Sequence, residues 1–180
     1  MIEKLAFRIA KYLKRVEPEK TASVEVMKFS LEALINVLIT FLFVLTIGII
    51  FGKSIESIIG LASFAFLRFF SGGIHLRTAI QCSFMSTILI SISPHIPLSL
   101  FGGRIIILIS LIIVILFAPS NIEDHARIPK KYFPVLKLIS ALIVALGFVV
   151  PNSTFIVVCF IQALTIIPFR SIYQKKEVIP

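Results

Sequence analysis

Charge is scarce in this chain. Only 15% of its 180 residues are Asp, Glu, Lys or Arg, against roughly 25% in an average soluble domain. That leaves too little polar surface to coat a globule in water, so lipid has to solvate much of the molecule. Cysteine is scarce too. Cys82 and Cys159 are the only two, and they sit in separate apolar regions. They do not read as a secreted-type disulfide framework. No CxxC pair or His/Cys cluster has metal-ligand spacing, and nothing implies a cofactor. Basic residues interleaved with aromatics, the footprint of nucleic-acid binding, are absent. So are internal repeats and low-complexity tracts. The first 28 residues are charged throughout, which does not fit a signal peptide.

What is abundant is apolar sequence. Hydrophobic residues make up 58% of the chain, and mean hydropathy is +1.04. The length suits one domain. Residues 1–28 read as an amphipathic surface helix. Leu5, Ile9, Tyr12, Leu13 and Val16 follow helical spacing, with Lys4, Arg8, Lys11, Lys14 and Arg15 beside them. That pattern suits a helix lying on an anionic membrane face, ended by Pro18. A solvated helix docked on the protein is the alternative.

Beyond it, residues 29–170 form apolar runs at 29–51, 55–70, 79–98, 105–118, 132–150 and 154–169. Gly102, Gly103 and Arg104 read as the break before the fourth run. The spacing predicts an all-α, polytopic integral membrane protein with about six transmembrane helices. Because a straight span needs roughly 17–25 residues, the short runs leave four spans plus two re-entrant segments as the fallback. A basic tail, 171–180, closes the chain.

The net charge of +9 has a topological explanation. With the N-terminus inside, the inner breaks collect the seven basic residues of the N-terminal segment, Arg68, Arg77, Arg127, Lys130, Lys131, Arg170, Lys175 and Lys176. The outer breaks hold only Lys53 and Arg104. By the positive-inside rule both termini face the cytoplasm of a multi-pass cell-membrane protein.

One constellation, in segment 68–82, carries chemistry. It reads Arg68-Phe69-Phe70-Ser71-Gly72-Gly73-Ile74-His75-Leu76-Arg77-Thr78-Ala79-Ile80-Gln81-Cys82. Taken singly, each residue has a plain structural explanation. Cys82 is a small apolar residue in a helix, Gly72 and Gly73 end a helix, and the arginines anchor a cytoplasmic boundary. Together they suit a thiol nucleophile. Neutral imidazole is a suitable base for a thiol. Positive charge from Arg68 and Arg77 favours a thiolate or holds an anion, and the glycine pair allows a sharp turn and close approach. Seven residues apart on a straight helix, His75 and Cys82 would share a face but lie roughly 10 Å apart along the axis. Direct proton transfer needs about 3 Å. The chain must therefore bend around His75, with the next helix starting near Thr78.

The string Arg68-x-x-x-Gly72-Gly73-x-His75-x6-Cys82 resembles the signature of the accessory gene regulator B (AgrB) family, membrane cysteine endopeptidases of Gram-positive quorum sensing. Ala118-Pro119, followed downstream by Pro129 and the basic pair Lys130-Lys131, is similar as well. The resemblance implies cleavage of an AgrD-type precursor peptide and its closure into a cyclic autoinducing peptide. It assigns Cys82 as nucleophile and His75 as base, with Arg68, Gly72 and Gly73 supporting the site; Arg77 and Gln81, read from the same segment, are further candidates for substrate binding or site support. The oxyanion donor is expected from the Cys82 N–H or the Gln81 side chain. The partners implied are the precursor peptide and membrane lipids, and self-association, as a homodimer, is compatible with the sequence.

Other polar residues have simpler readings. Cys159 reads as structural, His95 as part of an outer turn, and His125 as a solvated loop residue beside Glu123 and Asp124. Glu32, Asn36 and Thr40 share one helix face, and Glu32 reads as interfacial. Ser63, Ser83 and Ser86 read as helix-packing residues. A small peptide or lipid exporter is the alternative function, and it would require paired charges or broken helices at mid-depth. A non-catalytic membrane scaffold explains the composition but leaves the motif to coincidence.

Overall fold

The computed structural model describes residues 2–74, 78–120 and 129–168. The described residues form seven α-helices: α1 (Ile2–Val16), α2 (Val24–Ile50), α3 (Ser54–Ser71), α4 (Ala79–Ile92), α5 (Leu100–Phe117), α6 (Phe133–Ala145) and α7 (Ser153–Ile166). Short 3-10 turns flank α4 and α6.

Local chemistry sets the helix ends. The Ser23 hydroxyl accepts from the Val26 N–H at 3.3 Å and starts α2 five residues before the apolar run does. Capping, not hydropathy, fixes this boundary. At the far end Gly52 takes φ 66°. This turns the chain so that Lys53 N–H reaches the Gly48 carbonyl and Gly52 N–H the Ile49 carbonyl, a Schellman stop. Gly102, Gly103 and Arg104 do not form a break. They lie in the first turns of α5, started by Ser99, whose hydroxyl caps Gly102 N–H at 3.1 Å. Gly103 is buried there, where an added Cβ would lie 3.1 Å from Ile156 Cδ1. Close helix approach, rather than a turn, explains that glycine.

Among the described residues, four segments are long and apolar enough to cross a membrane: α2, α3, α5 and residues Lys130–Phe148, which include α6. α4 and α7 have 14 residues each. Large apolar side chains such as Leu38, Phe41, Ile109 and Leu142 are exposed. Small or polar residues are buried at helix contacts, among them Ser57, Gly60 and Ser63 of α3, Gly103 and Ser110 of α5, and Ser140 of α6. The buried hydroxyls of Ser63, Ser110 and Ser140 donate to carbonyls one turn back, at 2.6–2.8 Å. Without a hydrophobic drive between helices in lipid, close packing of small residues takes its place. This inverted distribution belongs to a multi-pass membrane protein.

The helices α2 to α7 alternate in direction. At one end Phe51, just past α2, packs edge-on against His95, just past α4. There the Leu98 N–H, shortly before α5, donates to Ser153 at the start of α7. At the other end the chain leaving α3 meets the chain leaving α5 and the last turn of α7. α7 is the most enclosed helix. Its Ile156, Cys159, Ala163 and Ile166 pack with Leu67, Ile107, Val114 and Val144. α1 lies along α2 through buried Ala6 and Ala10, while Leu5, Tyr12, Leu13 and Val16 stay exposed.

Candidate active site

The site is built where α3, α5 and α7 finish. Gly72 (φ 69°) and Gly73 (φ 127°) end α3 in backbone conformations that L side chains rarely adopt. The strand-like stretch they start is held on two sides. Gly73 N–H donates to the Ser120 carbonyl at 2.9 Å, and Ser120 N–H to the Ser71 carbonyl at 3.0 Å. Ile74 N–H donates to the Thr165 carbonyl on α7 at 2.9 Å. The Ala118–Pro119 peptide that leads into Ser120 is cis.

Three side chains brace this turn from within. Gln162 is fully buried. Its amide nitrogen donates to the Gly72 carbonyl at 2.7 Å and to Ser71 Oγ at 3.1 Å. Its amide oxygen accepts from Thr165 Oγ1 at 3.1 Å. Arg68, one turn from the end of α3, directs one guanidinium nitrogen to Thr165 Oγ1 at 3.4 Å and another to the Ile74 carbonyl. Gly73 must be small as well as flexible, because an added Cβ would lie 2.7 Å from Thr165 Oγ1 and 2.9 Å from Arg68 Nη1.

Cys82 sits in the first turn of α4, which begins at Ala79 with the Thr78 hydroxyl capping Gln81 N–H at 3.2 Å. No straight helix runs from residue 72 to 85, as the geometry of a His–Cys pair requires. The thiol is half-buried, within electrostatic reach of the Arg68 guanidinium. Arg68, Gly72, Gly73 and Cys82 therefore belong to one end of the bundle. Gln81 is exposed. The Cys82 N–H donates to the Thr78 carbonyl at 3.2 Å. That bond corrects the expectation that this N–H serves as oxyanion donor, because the first helical turn already occupies it. His75 and Arg77 lie outside the described residues, as do Glu123, Asp124, His125, Arg127 and the tail.

Among the remaining sequence candidates, Cys159 is fully buried in the core. His95 is at the opposite end of α4 from Cys82, against Phe51. Glu32 Oε1 is buried 3.7 Å from Lys28 Nζ and makes no hydrogen bond among the described residues. Asn36, buried one turn on, donates to the Glu32 carbonyl at 2.8 Å. Among the described residues no three His, Cys, Asp or Glu side chains are grouped to hold a metal ion. Sequence reasoning missed Gln162, Thr165 and Ser120. For the first two the available signal was the single amide of the sixth apolar run with a hydroxyl three residues on.

The Accessory gene regulator B family model matches residues 2–173. A curated relative from Halalkalibacterium halodurans, named AgrB-like, is 34% identical over 97 residues, 54% of this chain and 49% of the relative. Another, from Clostridium acetobutylicum, is 32% identical over 111 residues, 57% of this chain and 53% of the relative. A third, from Clostridium perfringens, is 29% identical over 136 residues, 69% of this chain and 63% of the relative. The chain thus spans about half the length of the first two. No solved structure matches it significantly. With a family match running across nearly the whole sequence, the chain belongs to the accessory gene regulator B family.

Proposed function

We propose that this protein is a cysteine endopeptidase of the cell membrane that cuts an AgrD-type precursor peptide and promotes its cyclisation for quorum sensing. The observation that carries the reading is that Cys82, at the start of α4, shares one end of the bundle with Arg68, whose guanidinium is fixed by Thr165 and Ile74. Family membership supports it, as does the charge pattern. The end of the bundle that holds the site also carries Arg68, Lys130 and Lys131, whereas Lys53 and Arg104 lie at the other end. The positive-inside rule then puts the site and both termini in the cytoplasm.

In this mechanism His75 takes the Cys82 proton and the thiolate attacks the scissile carbonyl. Arg68 stabilises the thiolate and then the oxyanion. Collapse of the tetrahedral intermediate expels the amine, which takes the proton back from His75 and leaves a thioester on Cys82. A thiol or hydroxyl of the same peptide then attacks that thioester, forming a ring and releasing Cys82. An internal nucleophile has a high effective concentration, so ring closure competes with hydrolysis. Exchange of one thioester for another needs no ATP.

The test is co-expression with the short precursor peptide encoded next to the gene, with products read by mass. Wild type and Cys159→Ala should release the cut peptide, while Cys82→Ala and His75→Ala should not. Normal cutting by Cys82→Ala would remove the nucleophile assignment and with it the proposal.

A further inference from the structure

Among the described residues, a buried polar network connects α7 to the proposed site. Gln162 is 90 residues from Gly72 in sequence, and Thr165 is 97 from Arg68. Neither belongs to segment 68–82. A carbonyl only accepts hydrogen bonds, so the Gly72 carbonyl fixes which end of the Gln162 amide faces it. With that end fixed, the amide oxygen faces Thr165 Oγ1. The Thr165 hydroxyl proton is directed to Gln162, with its carbonyl at 2.8 Å and its amide oxygen at 3.1 Å. The lone pairs on Thr165 Oγ1 are then the acceptor for Arg68. The Thr165 main-chain carbonyl meanwhile accepts from Ile74 N–H, the residue just before His75.

We infer that Gln162 and Thr165 are positioning residues for the Cys82 reaction. They hold the Arg68 guanidinium toward Cys82 and fix the backbone that leads into His75. The inference rests on the function proposed above and extends it to α7, a helix without a nucleophile or base of that mechanism. A guanidinium on a long, rotatable side chain gains a defined direction only when its surroundings hold it. Here the holding groups come from α7, itself seated in the core through Cys159, Ala163 and Ile166. They act through Arg68 and the glycine turn.

The experiment uses the full-length chain in detergent and a small thiol reagent, N-ethylmaleimide, with modified cysteines located by mass. The buried Cys159 is an internal control for folding, because it reacts only when the core opens. In wild type, Cys82 should react while Cys159 stays protected. Thr165→Val removes the hydroxyl at constant shape, and Gln162→Met removes the amide at similar volume. Each should slow Cys82 alkylation by about tenfold, the scale of one lost hydrogen bond to a charged group, with Cys159 still protected. Thr165→Ser, which keeps the hydroxyl, should restore the rate. On the precursor peptide, the first two variants should lower kcat and leave KM unchanged.

Unchanged Cys82 reactivity in both variants, with Cys159 protected, overturns the inference. So does a loss that rises only in step with Cys159 exposure, or one that Thr165→Ser fails to restore. Alkylation needs no peptide. If wild type never cuts the peptide but the alkylation pattern holds, the peptidase reading fails and the positioning roles stand.

Discussion

At Gly73 two constraints meet in one residue. Its φ of 127° disfavours any side chain, and the space a Cβ would take is filled by Thr165 Oγ1 and Arg68 Nη1. Gly52 has only the first constraint, with φ 66° and nothing within 4 Å of an added Cβ. The two make a matched pair for substitution. Gly52→Ala should cost about 1 kcal/mol, the price of left-handed backbone alone, and leave peptide cutting intact. Gly73→Ala should cost about 1–3 kcal/mol in backbone strain and displace Arg68, abolishing cutting. Thermal unfolding in detergent, set beside the cleavage assay, separates the two. Equal effects of both substitutions on activity would show that the glycine turn does not position the site.

Among the elements, α7 holds what the sequence concealed. The end of α3 at the glycine pair and the start of α4 near Thr78 were legible, because the spacing of the segment limits its geometry. Gln162 was not, because a single amide in an apolar run has no visible partner until the fold brings Gly72 to it. The start of α5 was misread for a related reason. Gly102 and Gly103 look like a break, but in a helix packed against Ile156 a missing Cβ is what allows contact. The runs themselves were legible, since lipid selects for apolar length directly. The helix α1 was legible as amphipathic, yet its alanine face against α2 emerged only with the fold.

That contact includes an ion pair between Glu3 and Lys28. The hydrogen bond from Lys28 and its charge hold the Glu3 carboxyl below the usual carboxylate value of 4.5. A lowered folded value means that the pair's contribution is fully present above about pH 4.5 and is lost as pH falls through the lower folded value. Protection of the α1 amides, taken as exchange relative to the intrinsic rate at each pH, should therefore fall on acidification below pH 4.5 in wild type. In Glu3→Gln the amides should already be faster at neutral pH, and that acid step should be missing. The pair is exposed, so about 1 M salt, which shortens the screening length to roughly 3 Å, should mimic the substitution.

At the scale of the whole molecule, alternating helices gather the ends of α3, α5 and α7 on one side and Lys53, His95 and Arg104 on the other. The proposed orientation makes the first side cytoplasmic. Cysteines introduced at Lys53 or Arg104 should react with a membrane-impermeant maleimide added to intact cells, and one at Lys131 should react only after the cells are opened. The reverse pattern would put the site outside, away from a cytoplasmic precursor.

A peptide carried on Cys82 as a thioester can be trapped. Wild-type protein is mixed with the precursor peptide, quenched in acid within one turnover, and its intact mass measured. The expected mass increase equals the peptide's N-terminal fragment, located at Cys82 and released by hydroxylamine. Turnover without any adduct, or an adduct at another residue, would contradict it.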